Sequence, residues 1–425
     1  MLTTILSVLS LLLSYGLLMI GNGLFSTLLG VRTQIEGFSS GSVGFIVSAY
    51  FAGLLAGAFL ATPIVARVGH IRAFAAFASV MSVTALLPVL AVHPLVWAPT
   101  RAVSGFCMAG MILVTESWLN ERATNTNRGQ VLSLYMITNY FASGCGQLFL
   151  PLADPSRFHL FSVLAIIYSL ALVPVLLTRA SAPIPRQPER VRFGELWHTS
   201  PLGFVGALSA GLVNSVFYGL GPVFTHAIGF SVTQTSIFMA SAVFGGLVLQ
   251  WPVGKLSDHV DRRWVLVGVA FATCLACLGV VAVTGKSVLA LYIVGGFYGG
   301  LSFTVYSIAA AHTNDFSDPE RRVQTAAALL IAYGIGACLG PLVASAAMGQ
   351  IGPRALFMYS AVINGLVALF GVYRMRRRAP KGKEERSEII SLPGGQFTAG
   401  QLYASMRNQM DRDLARMAGG YRNRD

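Results

Sequence analysis

At 425 residues, 54% of them hydrophobic and 11% charged, with a mean hydropathy of +0.65, the chain is too apolar for a soluble globular protein. Its net charge of +13 would suit nucleic acid, but the placement of the charges excludes that reading: 12 of the 30 Lys and Arg residues follow Tyr373, and 13 more fall in alternate loops between apolar runs. Those runs are each about 20 residues long, enough to cross a ~30 Å hydrocarbon core as helices, and they lack the alternation of membrane β-strands.

Twelve spans are predicted, at 5–29, 42–63, 73–92, 95–118, 130–150, 159–178, 201–225, 233–252, 264–284, 287–311, 323–346 and 354–373. The first is not read as a signal peptide: it has no basic leading region and no small-residue cleavage site, and its apolar run is too long. The basic loops carry Arg67 and Arg72; Arg122 and Arg128; Arg179, Arg186, Arg190 and Arg192; Lys255, Arg262 and Arg263; and Arg321 and Arg322. The opposite loops hold only Arg32, Arg157, Lys286 and Arg354. By the positive-inside rule both termini are then cytoplasmic.

Span four holds Arg101, the one charge deep in an apolar run, about 9 Å from the periplasmic end at 1.5 Å per residue. A buried arginine is costly enough that a functional role is its default reading; the rival is a structural arginine bonded to carbonyls of neighbouring helices. Glu116 lies about 22 Å lower, too far to pair with Arg101, and closes the helix at the cytoplasmic boundary. Arg67 and Arg128, from adjacent loops, are its candidate partners in a gate-side ion pair.

Residues 179–200, with Pro183, Pro185, Pro188 and four arginines, read as a linker between six-helix halves at 1–178 and 201–373. The halves repeat. Ser104-Gly105-Phe106 corresponds to Gly295-Gly296-Phe297, and Gly146 to Gly340, at nearly the same offset. Parallel repeats about an axis along the membrane normal place a site between the halves. Mid-depth polar residues available to it are Asn22, Tyr50, Asn139, Tyr140, Asn214, Tyr218, Tyr298 and Tyr333, with no carboxylate among them. Tyr135/Asn139 and Asn214/Tyr218 are i,i+4 pairs, each sharing a helix face. Gly53/Gly57, Gly295/Gly299, Gly296/Gly300 and Gly336/Gly340 have the spacing of close helix packing, with a hinge role as the alternative.

The five cysteines all lie in apolar runs. Cys274-x-x-Cys277 has no second pair or nearby histidine, so no metal is expected. No catalytic grouping or phosphate-binding glycine loop is visible, so neither an enzyme, an ATP-driven pump nor a cofactor is expected. After Tyr373 the basic tail, 374–425, carries a capping box at Thr398/Gln401 and an apolar stripe through Leu402, Met406, Met410, Leu414 and Met417. It predicts an amphipathic helix over 398–418, suited to the surface of the lipid bilayer.

Span eight leads into Gly254-Lys255-Leu256-Ser257-Asp258, then Asp261-Arg262-Arg263. This resembles the loop signature G-x-L-x-D-x-x-G-R-R of the major facilitator superfamily, with Asp261 where that family usually has glycine. The first copy, after span two, is degraded: Ala66 stands at the acidic position, and Arg67, Gly69 and Arg72 remain. Arg101-x-x-x-Gly105 resembles the arginine–glycine motif of the family's proton-coupled antiporters. Their span-five signature Gly-x-x-x-Gly-Pro reads Cys145-Gly146-Gln147 here, and a similar pattern, Gly336 to Pro341, lies in span eleven. Asn127-Arg128-Gly129, Tyr135, Gly146-Gln147, Gln250-Trp251-Pro252 and Gly340-Pro341 look like its YcaD-type branch.

The resemblance covers residues 1–373. It implies an all-α integral membrane fold of twelve transmembrane helices in two six-helix pseudo-repeats, and secondary transport of a small-molecule substrate by alternating access. It also implies protons as the coupling ion, a cavity lined mainly by spans one, four, seven and ten, and an Asp258 that faces Arg128, Gly129 and Gln130 as a gate latch. Arg262 and Arg263 belong to the same gate. Arg101 points to an anionic or zwitterionic solute. The alternatives are a facilitative uniporter and a non-transporting membrane receptor or scaffold.

Overall fold

The computed structural model describes residues 2–123, 127–177, 193–318 and 321–377. The predicted tail helix at 398–418 and most of the linker lie outside them. Among the described residues the chain is helical without strands: α1 Leu2–Ile35, α2 Ser40–Val68, α3 His70–Leu90, α4 Pro94–Arg122, α5 Arg128–Leu148, α6 His159–Leu170, α7 Leu172–Leu176, α8 Phe193–Thr199, α9 Pro201–Ala227, α10 Val232–His259, α11 Arg262–Val283, α12 Val288–Ser302, α13 Val305–Phe316, α14 Arg322–Ile351 and α15 Ala355–Met375. Each predicted span is found, within a few residues. Eleven helical stretches are long and apolar enough to cross a membrane. Span five, α5, is the more polar exception, carrying Gln130, Ser133, Thr138, Asn139, Ser143 and Gln147.

The helix ends follow from local chemistry. Ser39, Ser200, Ser231, Asp261 and Ser287 accept backbone N–H groups at the starts of α2, α9, α10, α11 and α12, and Ser231 and Gln234 form a reciprocal capping box. Gly69, at φ +86°, turns α2 directly into α3. The second copy of that loop turns through Val260 at φ −104° and Asp261 at φ −59°, which needs no glycine. Asp261 can therefore replace the family's glycine and cap α11 instead.

Two spans are broken. Span six divides into α6 and α7 beside Pro174, which has no N–H for the Leu170 carbonyl. Span ten divides at Phe303-Thr304 without a proline; the Thr304 N–H bonds to Leu301 in a tightened turn.

The packing repeats. In the first half α2 lies on α4, α1 on α5 and α3 on α6; in the second α10 lies on α12, α9 on α14 and α11 on α15. The seam between the halves repeats too, α2 meeting α14 as α10 meets α5, with α1 against α9. Lipid offers no hydrophobic drive for this association, so close contact must supply it. An added methyl carbon on Gly53 would stand 1.8 Å from the Ala102 carbonyl oxygen, on Gly299 2.2 Å from that of Ala242, and on Gly336 2.2 Å from that of Leu208. These glycines are packing residues inside the halves. Outside, large apolar side chains such as Leu60, Val248, Trp264 and Leu369 are exposed, as lipid-facing residues are.

Candidate functional site

We call the membrane face bearing α8 the linker face and its opposite the far face. On the far-face side of the seam, α1, α2, α4, α5 and α9 enclose a cavity lined by Asn22, Ser26, Tyr50, Arg101, Ser143 and Tyr218 among apolar neighbours. Four predicted cavity residues thus meet there: Asn22, Tyr50, Arg101 and Tyr218. The cavity volume is about 40 Å³, room for a few waters and well below the ~300 Å³ of a site holding a small molecule. The halves must move apart to load it.

Arg101 is 5% exposed. Its guanidinium carbon lies 4.7 Å from the Phe25 ring centre and 4.1 Å from that of Tyr50. Tyr50 is fixed in turn by donating its hydroxyl to Asn22 Oδ1 at 2.9 Å. Among the described residues the guanidinium's one hydrogen bond is a long one, 3.5 Å, to Ser104 Oγ. Among the described residues no carboxylate lines the cavity. A cation held this way offers most of its donors to the cavity. Above it the seam is closed: Ser26 Oγ donates to the Tyr218 carbonyl at 2.7 Å, and α1 and α9 touch at Gly30 and Pro222.

The other predicted cavity residues lie elsewhere. Tyr135 and Asn139 do share a face, but it points to Tyr15: Tyr135 stacks on that ring at 4.5 Å, and the Asn139 amide donates to its hydroxyl. The Tyr135 hydroxyl donates to Glu116 Oε1 at 2.9 Å. Tyr140 reaches across the seam to Gln250 Oε1 at 3.3 Å, and the Gln250 amide donates to Ser307. Asn214 accepts from Ser302 at 2.8 Å, while Tyr218 stacks on Phe303 at 5.2 Å. This i,i+4 pair therefore clasps the break in span ten. Tyr298 is walled into an aromatic core with Phe217 and Phe357, and Tyr333 packs edge-on to Tyr306. Period and polarity alone could not tell a cavity face from a helix–helix face.

Glu116 does not close its helix; α4 continues to Arg122, and Glu116 is 7% exposed. Arg67, exposed near the end of α2, makes no ion pair with it among the described residues. The Arg128 side chain lies outside them. Arg262 is buried and bridges Asp315 Oδ1 at 2.5 Å, the Ala311 carbonyl at 3.0 Å and Asp258 Oδ1 at 3.3 Å. Asp258 is thus joined to its own half through Arg262. Arg263 forks onto Asp261 at 2.6 Å. Asp315 was missed because the stretch Ala311-His312-Thr313-Asn314-Asp315 matches no motif. Among the described residues no cluster of His, Cys, Asp or Glu is placed to hold a metal.

The family model of the Major Facilitator Superfamily matches residues 11–313 and, in a second alignment, 203–399. The chain belongs to the Major Facilitator Superfamily. Among relatives, it is 28% identical over 372 residues to the uncharacterised MFS-type transporter YcaD of Escherichia coli, covering 86% of this chain and 94% of that one. An uncharacterised MFS-type transporter of Yersinia enterocolitica is 27% identical over 373 residues, covering 86% and 95%. The chain is a superfamily member of the YcaD-like branch. The solved nucleoside transporter NupG superposes with a TM-score of 0.72 at 14% identity, over 88% of this chain and 100% of its own; the D-xylose–proton symporter does so at 0.67 and 14%, over 86% and 97%. At such identities the likeness is one of fold. Membership of the superfamily makes the chain a multi-pass membrane protein of a secondary-transporter family, whose members take small-molecule substrates.

Proposed function

We propose that this superfamily member carries a small anionic or amphipathic solute across the bacterial inner membrane by alternating access between its halves, 1–178 and 201–373. In this reading protons supply the coupling, both termini are cytoplasmic, and the linker face is the inner one. The observation that supports it most is Arg101, a buried cation on a cavity at the seam that no carboxylate lines among the described residues. Burying a charge without purpose is expensive in a bilayer, and a solute anion would complete the site. The basic loops favour this orientation. The cavity set is Asn22, Tyr50, Arg101 and Tyr218; Arg262 and Asp258 serve the inner gate through Asp315.

The test is uptake or efflux by purified protein in proteoliposomes, with and without a pH gradient. The reading expects solute movement that Arg101→Gln abolishes while leaving folded protein in the membrane. Movement unaffected by the gradient would leave a uniporter. No movement of any solute that binds would leave a receptor or scaffold. Comparing metabolites between deletion and overexpression strains identifies the solutes to try.

A further inference from the structure

We propose that the Arg101 cavity selects a monocarboxylate with an apolar body; this rests on the solute-binding reading above. Charge decides the first half. Among the described residues Arg101 is the one cation lining the cavity, so a single negative charge neutralises it, whereas a phosphate dianion would bury an excess charge. Arg32, another buried arginine on α1, is already engaged by Glu36 at 2.5 Å and by the Pro155 carbonyl.

Shape decides the second. The Phe25 and Tyr50 rings, 4.7 and 4.1 Å from the guanidinium carbon, hold the cation without taking up its N–H groups, and the hydrogen bond to Ser104 at 3.5 Å is a long one, so N–H donors remain for a ligand. A planar carboxylate matches such donors with two parallel hydrogen bonds. Ser143 Oγ, buried on the same cavity without a hydrogen-bond partner, supplies one more donor. Its backbone is held tightly: an added methyl carbon on Gly23 would stand 2.4 Å from the Ser143 carbonyl oxygen. The apolar walls are Leu29, Val43, Ile46, Val47, Phe51 and Leu54, while the hydroxyls of Ser26 and Thr33 on the same cavity donate to the Tyr218 and Gly30 carbonyls. The apolar walls suit an aliphatic or aromatic body.

The test is thermal unfolding of the full chain in lipid nanodiscs with four probes sharing one ring: benzoate, benzamide, phenylphosphonate and benzylamine, with octanoate as an aliphatic carboxylate. The expected result is stabilisation by benzoate or octanoate and by none of the other three. Half-effect concentrations should rise at least about tenfold in Arg101→Gln and in Arg101→Lys, which keeps the charge and loses the fork. Ser143→Ala, the milder change, should raise them about three- to tenfold. Equal stabilisation by benzamide or phenylphosphonate, silence toward both carboxylates, or a carboxylate response unchanged in Arg101→Gln and Ser143→Ala overturns the assignment. Counterflow in proteoliposomes separates the two ideas. Carboxylates that bind through Arg101 and are not moved sink the transport reading alone; movement of an amine or phosphonate but no carboxylate sinks the monocarboxylate alone.

Discussion

Arg262 and Asp315 meet at 2.5 Å across α11 and α13, 53 residues apart and both buried. Arg262 also draws in Asp258, so three helix ends of the second half are tied at one guanidinium. Removing Asp315 takes the nearer counter-charge from the buried Arg262 and leaves it the longer 3.3 Å contact with the half-buried Asp258. Asp315→Ala should cost about 3–5 kcal/mol of stability, read as a large drop in the unfolding midpoint of purified protein. An apolar pair, Arg262→Met with Asp315→Leu, should recover much of the loss. A drop of less than about 1 kcal/mol in Asp315→Ala would mean the pair is not structural.

Asp261 should matter far less, and in a graded way. Its side chain accepts the Arg263 N–H at 3.0 Å and caps α11. Asp261→Ala should cost about 1 kcal/mol, and Asp261→Gly, which restores the residue usual in the family, only a few tenths from the lost cap. The ordering of these two unfolding midpoints is the check; glycine worse than alanine would contradict the capping role.

On the first half, a double-mutant cycle distinguishes the observed partner of Glu116 from the expected one. Tyr135→Phe with Glu116→Gln should show a coupling of about 1 kcal/mol or more, because the Tyr135 hydroxyl donates to the buried carboxylate at 2.9 Å. Arg67→Ala with Glu116→Gln should be additive within about 0.5 kcal/mol in this conformation. Coupling to Arg67 that exceeds coupling to Tyr135 would restore the ion-pair gate.

Glycines inside a half and glycines on the seam should fail differently. Gly53→Leu wedges α2 off the Ala102 carbonyl, and overpacking of this kind costs about 1–3 kcal/mol or more, seen as lost folded protein. Gly44 packs instead across the seam, where an added methyl carbon would meet Ser345 Oγ at 1.9 Å. Gly44→Leu should fold and hold the far face open. An impermeant maleimide should then label Ser26→Cys faster from that side. Unchanged labelling would show that the seam does not open there.

The fold was legible because its signals are long. Twelve apolar runs, alternating basic loops and the paired glycines of spans four and ten are each set by the bilayer and by helix repeat. Arg101 was legible for the related reason that a lone charge in an apolar run is conspicuous. The rest of the site was not. Tyr135 and Tyr298 look the same in sequence as Tyr50, and only packing decides that one faces Glu116, one an aromatic core and one the cavity. Asp315 and Ser143 were hidden because their meaning comes from a partner distant in the chain or from a cavity wall. Glu116 was placed too near the surface because α4 runs one turn beyond its apolar stretch.

The far-face seam has a physical character of its own. Its contacts are Gly30 on Pro222, Gly44 on Pro341 and Ser345, Val47 on Gly219, and the hydrogen bonds of Ser26 to the Tyr218 carbonyl and Ser236 to the Gln147 carbonyl. Among the described residues no ion pair crosses it. Screening by salt acts on charges and leaves such contacts nearly untouched. The rate at which the halves part at the far face should therefore be indifferent to the salt concentration of the medium bathing it.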